Sequence, residues 1–230
     1  MKTFAEKVIS FNSRLDFRGT LPENVRVLNP FRDDEVALGI SRQFYKKFYS
    51  DTRSRRLILG INPGRFGAGI TGIPFTDPKR VVEKCGIIYE GKLKHEMSSV
   101  FVYETIDAFG GVSLFYDKFY ISSICPLGFT RTNSLGKEVN LNYYDLPDLA
   151  KSVYDFMIRS LRKQLTFGID RELAICLGTG KNEKTIRCIN DQFGFFKRIV
   201  ALEHPRFVMQ YNLKNKARYI AKYVAELQKS

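Results

Sequence analysis

Tryptophan is absent from this 230-residue chain, histidine occurs twice, cysteine four times, and 24 Asp and Glu face 37 Lys and Arg. Each shortage excludes something. Two histidines, His95 and His204, make no His-rich metal site, and His95-Glu96-Met97-Ser98-Ser99 begins like a zinc-protease helix but has Ser99 where the second ligand belongs. No metal or other cofactor is expected. Cys85, Cys125, Cys176 and Cys188 form no C-x-x-C pair, which removes zinc ribbons and ferredoxin-type clusters and leaves buried thiols as the expectation. No apolar run reaches the ~18 residues of a membrane span, and Lys2, Glu6 and Lys7 interrupt any export-type apolar segment. A cytoplasmic location without a membrane partner is expected. Repeats, low-complexity tracts and Gly/Ser linkers are also missing, so residues 1–230 read as a single domain.

What is present is a core and a charge. Hydrophobic residues make up 44% and aromatic residues 13% of the chain, enough for a packed, enzyme-like interior. The formal charge of +13 fits a protein that meets polyanions.

Four continuous apolar runs read as strands buried on both faces: Leu57 to Ile61, Phe119 to Ile124, Leu173 to Leu177 and Ile199 to Leu202. Between them lie helical periods. Phe4, Val8, Phe11 and Leu15 mark one helix face, and Val36, Ile40, Phe44 and Phe48 another. Val100 to Phe109, Leu146 to Leu165, Asn182 to Asn190 and Tyr211 to Leu227 complete the set. Strands alternating with helices predict an α/β fold, a three-layer α/β/α sandwich around a central four-stranded parallel sheet.

In such a sheet the ligand site lies beyond the carboxyl ends of the strands. The chemistry-bearing residues of this chain cluster there: Asn62-Pro63-Gly64-Arg65 after the first run, Ser123 and Cys125-Pro126-Leu127 at the second, Gly178-Thr179-Gly180-Lys181 after the third, and His204-Pro205-Arg206 after the fourth. Gly67-Ala68-Gly69-Ile70-Thr71-Gly72 matches a dinucleotide fingerprint, but Asn62 to Phe66 separate it from the strand and Pro74 follows it. A Walker A loop is excluded by Asn182 after Gly180-Lys181. Asn62 to Phe75 is better read as a stiffened Gly-rich loop that approaches a ligand and offers the flat faces of Phe66 and Phe75. An ordinary surface connection is the competing reading. Gly178 to Lys181 opens a helix whose free N–H groups, with Lys181, Lys184 and Arg187, can hold a phosphate; a routine turn with a solvated basic face is equally consistent.

The run Leu59-Gly60-Ile61-Asn62-Pro63-Gly64-Arg65-Phe66-Gly67, followed by Thr71-Gly72-Ile73-Pro74-Phe75, resembles the first motif of the single-strand-selective monofunctional (SMUG-type) branch of the uracil-DNA glycosylase superfamily. Cys125-Pro126-Leu127 resembles the family's central motif, His204-Pro205-Arg206 the start of its second catalytic motif, and Asn29-Pro30 fits upstream. The likeness extends from Val25 to the C-terminal helix. It implies that Asn62 directs the attacking water, His204 binds the carbonyl oxygen of the leaving pyrimidine, and Phe75 stacks on the flipped base. Ile61, Gly64 and Ser123 would complete the base pocket, and Pro63, Gly178, Lys181, Arg206 and Phe207 would touch DNA.

Two departures bear on specificity. Better-known members carry an Asn where this chain has Ser123, and a hydroxyl cannot offer the paired donor and acceptor of an amide. The usual Ser-Pro-Arg insertion after His-Pro is replaced by Arg206-Phe207-Val208-Met209-Gln210-Tyr211, which either supplies a wedge or starts the last helix early. Both resemble a bacterial SMUG-type subgroup. The expectation is a monofunctional DNA glycosylase acting on uracil and on deaminated purines such as xanthine, working as a monomer on single- or double-stranded DNA. A non-catalytic nucleic-acid-binding module on the same fold is the alternative. Lys181, Arg206, Lys214 and Lys216 are expected to grip phosphates, and Arg53, Arg55 and Arg56 to sit solvated at the opposite edge.

Overall fold

The four apolar runs pair into one parallel sheet. In the computed structural model, which describes residues 1–229, the elements follow as α1 (Phe4–Asn12), β1 (Val25–Leu28), α2 (Pro30–Asp33), α3 (Glu35–Phe48), β2 (Arg55–Gly60), α4 (Ala68–Thr71), α5 (Pro78–Glu83), α6 (Met97–Phe109), α7 (Val112–Lys118), β3 (Phe119–Ser123), β4 (Gly128–Thr132), β5 (Glu138–Leu141), α8 (Pro147–Leu165), β6 (Ile169–Leu177), α9 (Lys181–Phe193), β7 (Arg198–Leu202), α10 (Pro205–Tyr211) and α11 (Lys216–Gln228). The strand order is β3-β2-β6-β7.

Register assigns the two faces. Leu57 pairs with Tyr120 and Ala174, and Leu59 with Ser122 and Cys176, on one face; Ile58, Ile121 and Ile175 share the other. Helices α1 and α3 cover the first face, with the Phe4 and Tyr45 rings 5.2 and 6.3 Å from that of Tyr120. Val102 of α6 and Tyr223 of α11 close over Ile58, Ile121 and Ile175 on the second. The result is the expected three-layer sandwich. No helix among the described residues is long and apolar enough to cross a membrane.

Several expectations are corrected. A second, antiparallel sheet in the order β1-β4-β5 stands beside the carboxyl edge of the first. The helix predicted from Tyr211 to Leu227 starts later: Tyr211 ends a separate helix, α10, a 3-10 turn at Leu213–Asn215 follows, and α11 begins at Lys216. Val36 faces solvent, because the buried stripe of α3 runs through Ala37, Ile40, Ser41, Phe44 and Tyr45. Cys188 is exposed on α9, whereas the other three thiols are buried.

Arg55 is the largest correction. It is fully buried between the Phe4 and Tyr49 rings, its guanidinium carbon 4.9 and 4.7 Å from their centres. It donates to both Asp51 carboxylate oxygens at 2.8 and 2.9 Å and to the Tyr116 carbonyl at 2.8 Å. Beside it, the Asp51 carboxyl is held far below the usual carboxylate range, first through its hydrogen bonds from Arg55. A fork of five donors can be satisfied in a dry site where a lysine cannot. Arg53 and Arg56 keep solvent access and pair with Asp117 and Asp170.

Candidate active site

A cavity of about 90 Å³ opens at the carboxyl edge of the parallel sheet. Ile61, Asn62, Pro63, Gly64, Phe75, Ser123, His204 and Arg206 all line it, although they come from the ends of three strands and the loop after β2. Gly178, Lys181 and Phe207 lie outside its lining.

Asn62 is clamped by main chain. Its Nδ2 donates to the Leu141 carbonyl at 3.0 Å and to the Pro63 carbonyl at 3.3 Å, while Oδ1 accepts the Tyr143 N–H at 3.0 Å. A flipped amide would set donor against donor at Tyr143, so the network fixes the orientation. Both amide hydrogens and one of two Oδ1 lone pairs are thereby used, and the other lone pair remains for a ligand. Tyr143 is itself anchored, its hydroxyl donating to Asn182 Oδ1 at 3.0 Å, and Asn182 Nδ2 donates to the Leu177 carbonyl at the end of β6.

His204 is the N-cap of α10. Its Nδ1 accepts the Arg206 N–H at 3.2 Å, which places the proton of the neutral ring on Nε2. Burial, and then the Arg206 charge, push its pKa down to about 4. The ring is therefore a neutral donor near neutral pH.

Phe75 tilts its ring toward His204, centroids 5.7 Å apart. Its backbone sits in the left-handed region at φ 53°, a conformation that costs a bulky residue about 1–3 kcal/mol. Buried Thr71 holds the turn by donating to the Thr76 carbonyl at 2.6 Å and accepting the Ile73 N–H at 3.1 Å. Gly60 makes room for the ring, since a Cβ there would lie 2.8 Å from Phe75 Cε2.

Ser123 is buried and stands beside Gly60 in register, reaching the cavity from β3. The segment after His204 forms α10, so it starts a helix instead of an insertion loop. Phe207 and Tyr211 are exposed on that helix, ring centres 5.9 Å apart. Lys216 is engaged by Glu104 at 2.7 Å, and Arg187 by Glu183 at 2.8 Å. Lys181 lies over the Tyr144 ring at 5.7 Å. The Gly67–Gly72 motif is no nucleotide fingerprint here: it caps both ends of the four-residue α4. Asn29 is a fully buried helix cap, its Nδ2 donating to the Leu15 carbonyl at 2.7 Å. No group of three or more metal-ligating side chains occurs among the described residues.

Sequence reasoning missed Glu96, Ser98, Asn140, Leu141 and Asn142, which also line the cavity. Asn140 and Asn142 belong to the strand end and turn that carry the Asn62 clamp, and their i, i+2 spacing in a polar stretch was the available signal. Burial raises the Glu96 carboxyl above its ordinary pKa; Arg206 opposes this, and Asp77 adds to the rise.

The chain is similar to known proteins over nearly all its length. Residues 46–228 match the model of the uracil DNA glycosylase superfamily. The crystal structure of wild-type Pedobacter heparinus SMUG2 superposes with a TM-score of 0.97 at 58% identity, covering 99% of this chain and 98% of that one. No curated protein sequence matches. With the motifs gathered at one cavity and the family model spanning most of the fold, the chain belongs to the uracil DNA glycosylase superfamily and is a hydrolase of N-glycosidic bonds in DNA.

Proposed function

We propose that the protein is a monofunctional glycosylase that removes uracil, and also deaminated purines such as xanthine, from DNA to begin base-excision repair, with Asn62 and His204 as its catalytic pair. The observation that carries this reading is the clamp on Asn62, which fixes a cavity-lining amide and leaves one Oδ1 lone pair unused by the protein.

Breaking the N-glycosidic bond sends its electrons into the base and leaves C1′ of the sugar with oxocarbenium character. A cation of that kind needs an oriented water, not a strong base, and an amide oxygen supplies orientation. The water delivers hydroxyl to C1′, and the base departs as an anion that regains its proton from solvent. Nε2–H of the neutral His204 meets the carbonyl oxygen on which that charge collects. One such donor is worth about 2.7–4 kcal/mol in enzymes generally. Phe75 stacks on the extruded base and offsets part of the few kcal/mol that flipping costs. The cavity lining contains no lysine, in keeping with attack by water alone.

Ser123 supports the broader base range, because a hydroxyl makes fewer demands on the base edge than an amide does. Arg206 in the cavity lining suits phosphates around the extruded nucleotide, Lys181 at the start of α9 suits phosphates further along the strand, and Phe207 on α10 suits contact with neighbouring bases. A single copy contains the complete cavity, which suits a monomer. The test is alkaline cleavage of labelled oligonucleotides carrying uracil, xanthine or hypoxanthine, single- and double-stranded. Cleavage at uracil and xanthine supports the reading; cleavage at uracil alone removes its purine half.

A further inference from the structure

We propose that Glu96 reads the base: its carboxylate accepts a hydrogen bond from the ring N–H that deamination creates, and so takes over the discrimination that Ser123 cannot perform. This rests on the glycosylase reading above and names how the same cavity selects its substrates.

Glu96 is built into place. It is the N-cap of α6, its backbone N–H donates to Asp77 Oδ2 at 2.7 Å, and its carbonyl accepts the Val100 N–H at 3.1 Å. Asp77 is fully buried and held in turn by Arg80 at 3.2 Å. The Glu96 carboxylate lies against Gly67, where a Cβ would come within 2.1 Å of Oε2. A side chain at position 67 would displace it.

The carboxylate nevertheless has no hydrogen-bond partner among the described residues, and Arg206 acts on it only from beyond ion-pair distance. A half-buried carboxylate without a protein donor lines the cavity, and in a site for a polyanion it also repels phosphate. Such a group is explained when the ligand brings the missing donor. Glu96 and His204, the N-caps of α6 and α10, line the same cavity and so face the same ligand.

The chemistry of deamination supplies that donor. Cytosine has a bare N3 acceptor, and its deamination to uracil makes N3–H beside a carbonyl. Adenine to hypoxanthine converts bare N1 to N1–H at the equivalent position, whereas guanine carries N1–H there already and gains its new N–H at N3 on the sugar edge, so xanthine is not selected by this contact. A carboxylate accepts only, so it attracts uracil and hypoxanthine and repels the lone pair of the parent of each at that atom. One acceptor on that edge thereby distinguishes uracil and hypoxanthine from their parents, while the hydroxyl of Ser123 in the same lining is undemanding.

The test compares single-turnover cleavage of oligonucleotides carrying uracil or 3-methyluracil, which lacks the N3–H. Wild type is expected to prefer uracil at least tenfold, and Glu96→Ala to reduce that preference to threefold or less through slower uracil cleavage. Glu96→Asp, which keeps the charge and withdraws the acceptor by one methylene, should fall between them and serves if the alanine variant does not fold. A wild type without the preference, or variants that retain it in full, overturns the proposal. A wild type inactive on every substrate overturns the glycosylase reading instead.

Discussion

Asn62 Oδ1 accepts the backbone N–H of Tyr143, 81 positions along the chain, at 3.0 Å. The bond ties the end of the parallel sheet to the turn after β5, and the Leu141 carbonyl on the other side of the amide completes the grip. A carboxylate in this clamp would turn an oxygen toward the Leu141 carbonyl. Asn62→Asp is therefore expected to slow uracil release at least tenfold while affinity for uracil-containing DNA stays within about threefold. Anisotropy with a labelled oligonucleotide beside a single-turnover assay separates the two effects.

His204 sets a pH dependence with a definite sign. Its pKa of about 4 in the folded chain lies below the ordinary 6.5, so between those values the unfolded chain binds more protons. This group makes stability rise with pH across that window and contributes a constant amount above it. Cleavage should be flat through the neutral range, without a step at 6.5, and fall as pH approaches 4. In His204→Gln, which keeps a neutral donor, the drop in melting temperature between about pH 7 and about pH 4.5 should be smaller than in wild type. The glutamine variant should also retain more activity than His204→Ala.

Ser123 faces the cavity from the end of β3, where an amide would offer a donor and an acceptor to the base edge. Ser123→Asn is expected to shift preference toward uracil over xanthine by about tenfold, the worth of one well-made hydrogen bond. Competition between the two lesions in one reaction measures it. An unchanged ratio would show that Ser123 does not read the base.

Arg55 predicts a stability effect far from the site. Its loss leaves the buried Tyr116 carbonyl without its donor, at a cost of about 1–3 kcal/mol, and empties the space between the Phe4 and Tyr49 rings, while Asp51 keeps partial solvent access. Arg55→Ala should lower the denaturant midpoint accordingly, and Arg55→Lys should recover little, since a lysine cannot reach Asp51 and the Tyr116 carbonyl together.

The parallel sheet was legible because Leu57, Ile121, Ile175 and their neighbours are buried on both faces and give unbroken apolar runs. The antiparallel sheet was not, because Arg26, Arg131 and Glu138 break up strands of four or five residues. Half of the Asn62 clamp was unreadable in principle: Leu141 and Tyr143 contribute main-chain atoms, which any residue but proline supplies at the N–H. Glu96 was visible only as part of a broken zinc motif, and its meaning depends on the fold bringing it to the cavity that holds His204. The start of the last helix was set too early at Tyr211, because that ring ends α10 and the 3-10 turn at Leu213–Asn215 carries no Gly or Pro to mark the break.

On the proposed mechanism Asn62 and His204 together hydrolyse the glycosidic bond of an extruded deaminated base. Single-turnover release of uracil from a labelled oligonucleotide by wild type, Asn62→Ala, His204→Ala and the double variant tests it most directly, with thermal melting to establish that each is folded. Rapid release by wild type and a loss of at least tenfold in each single variant are expected. Full-rate release by a folded double variant would contradict the mechanism.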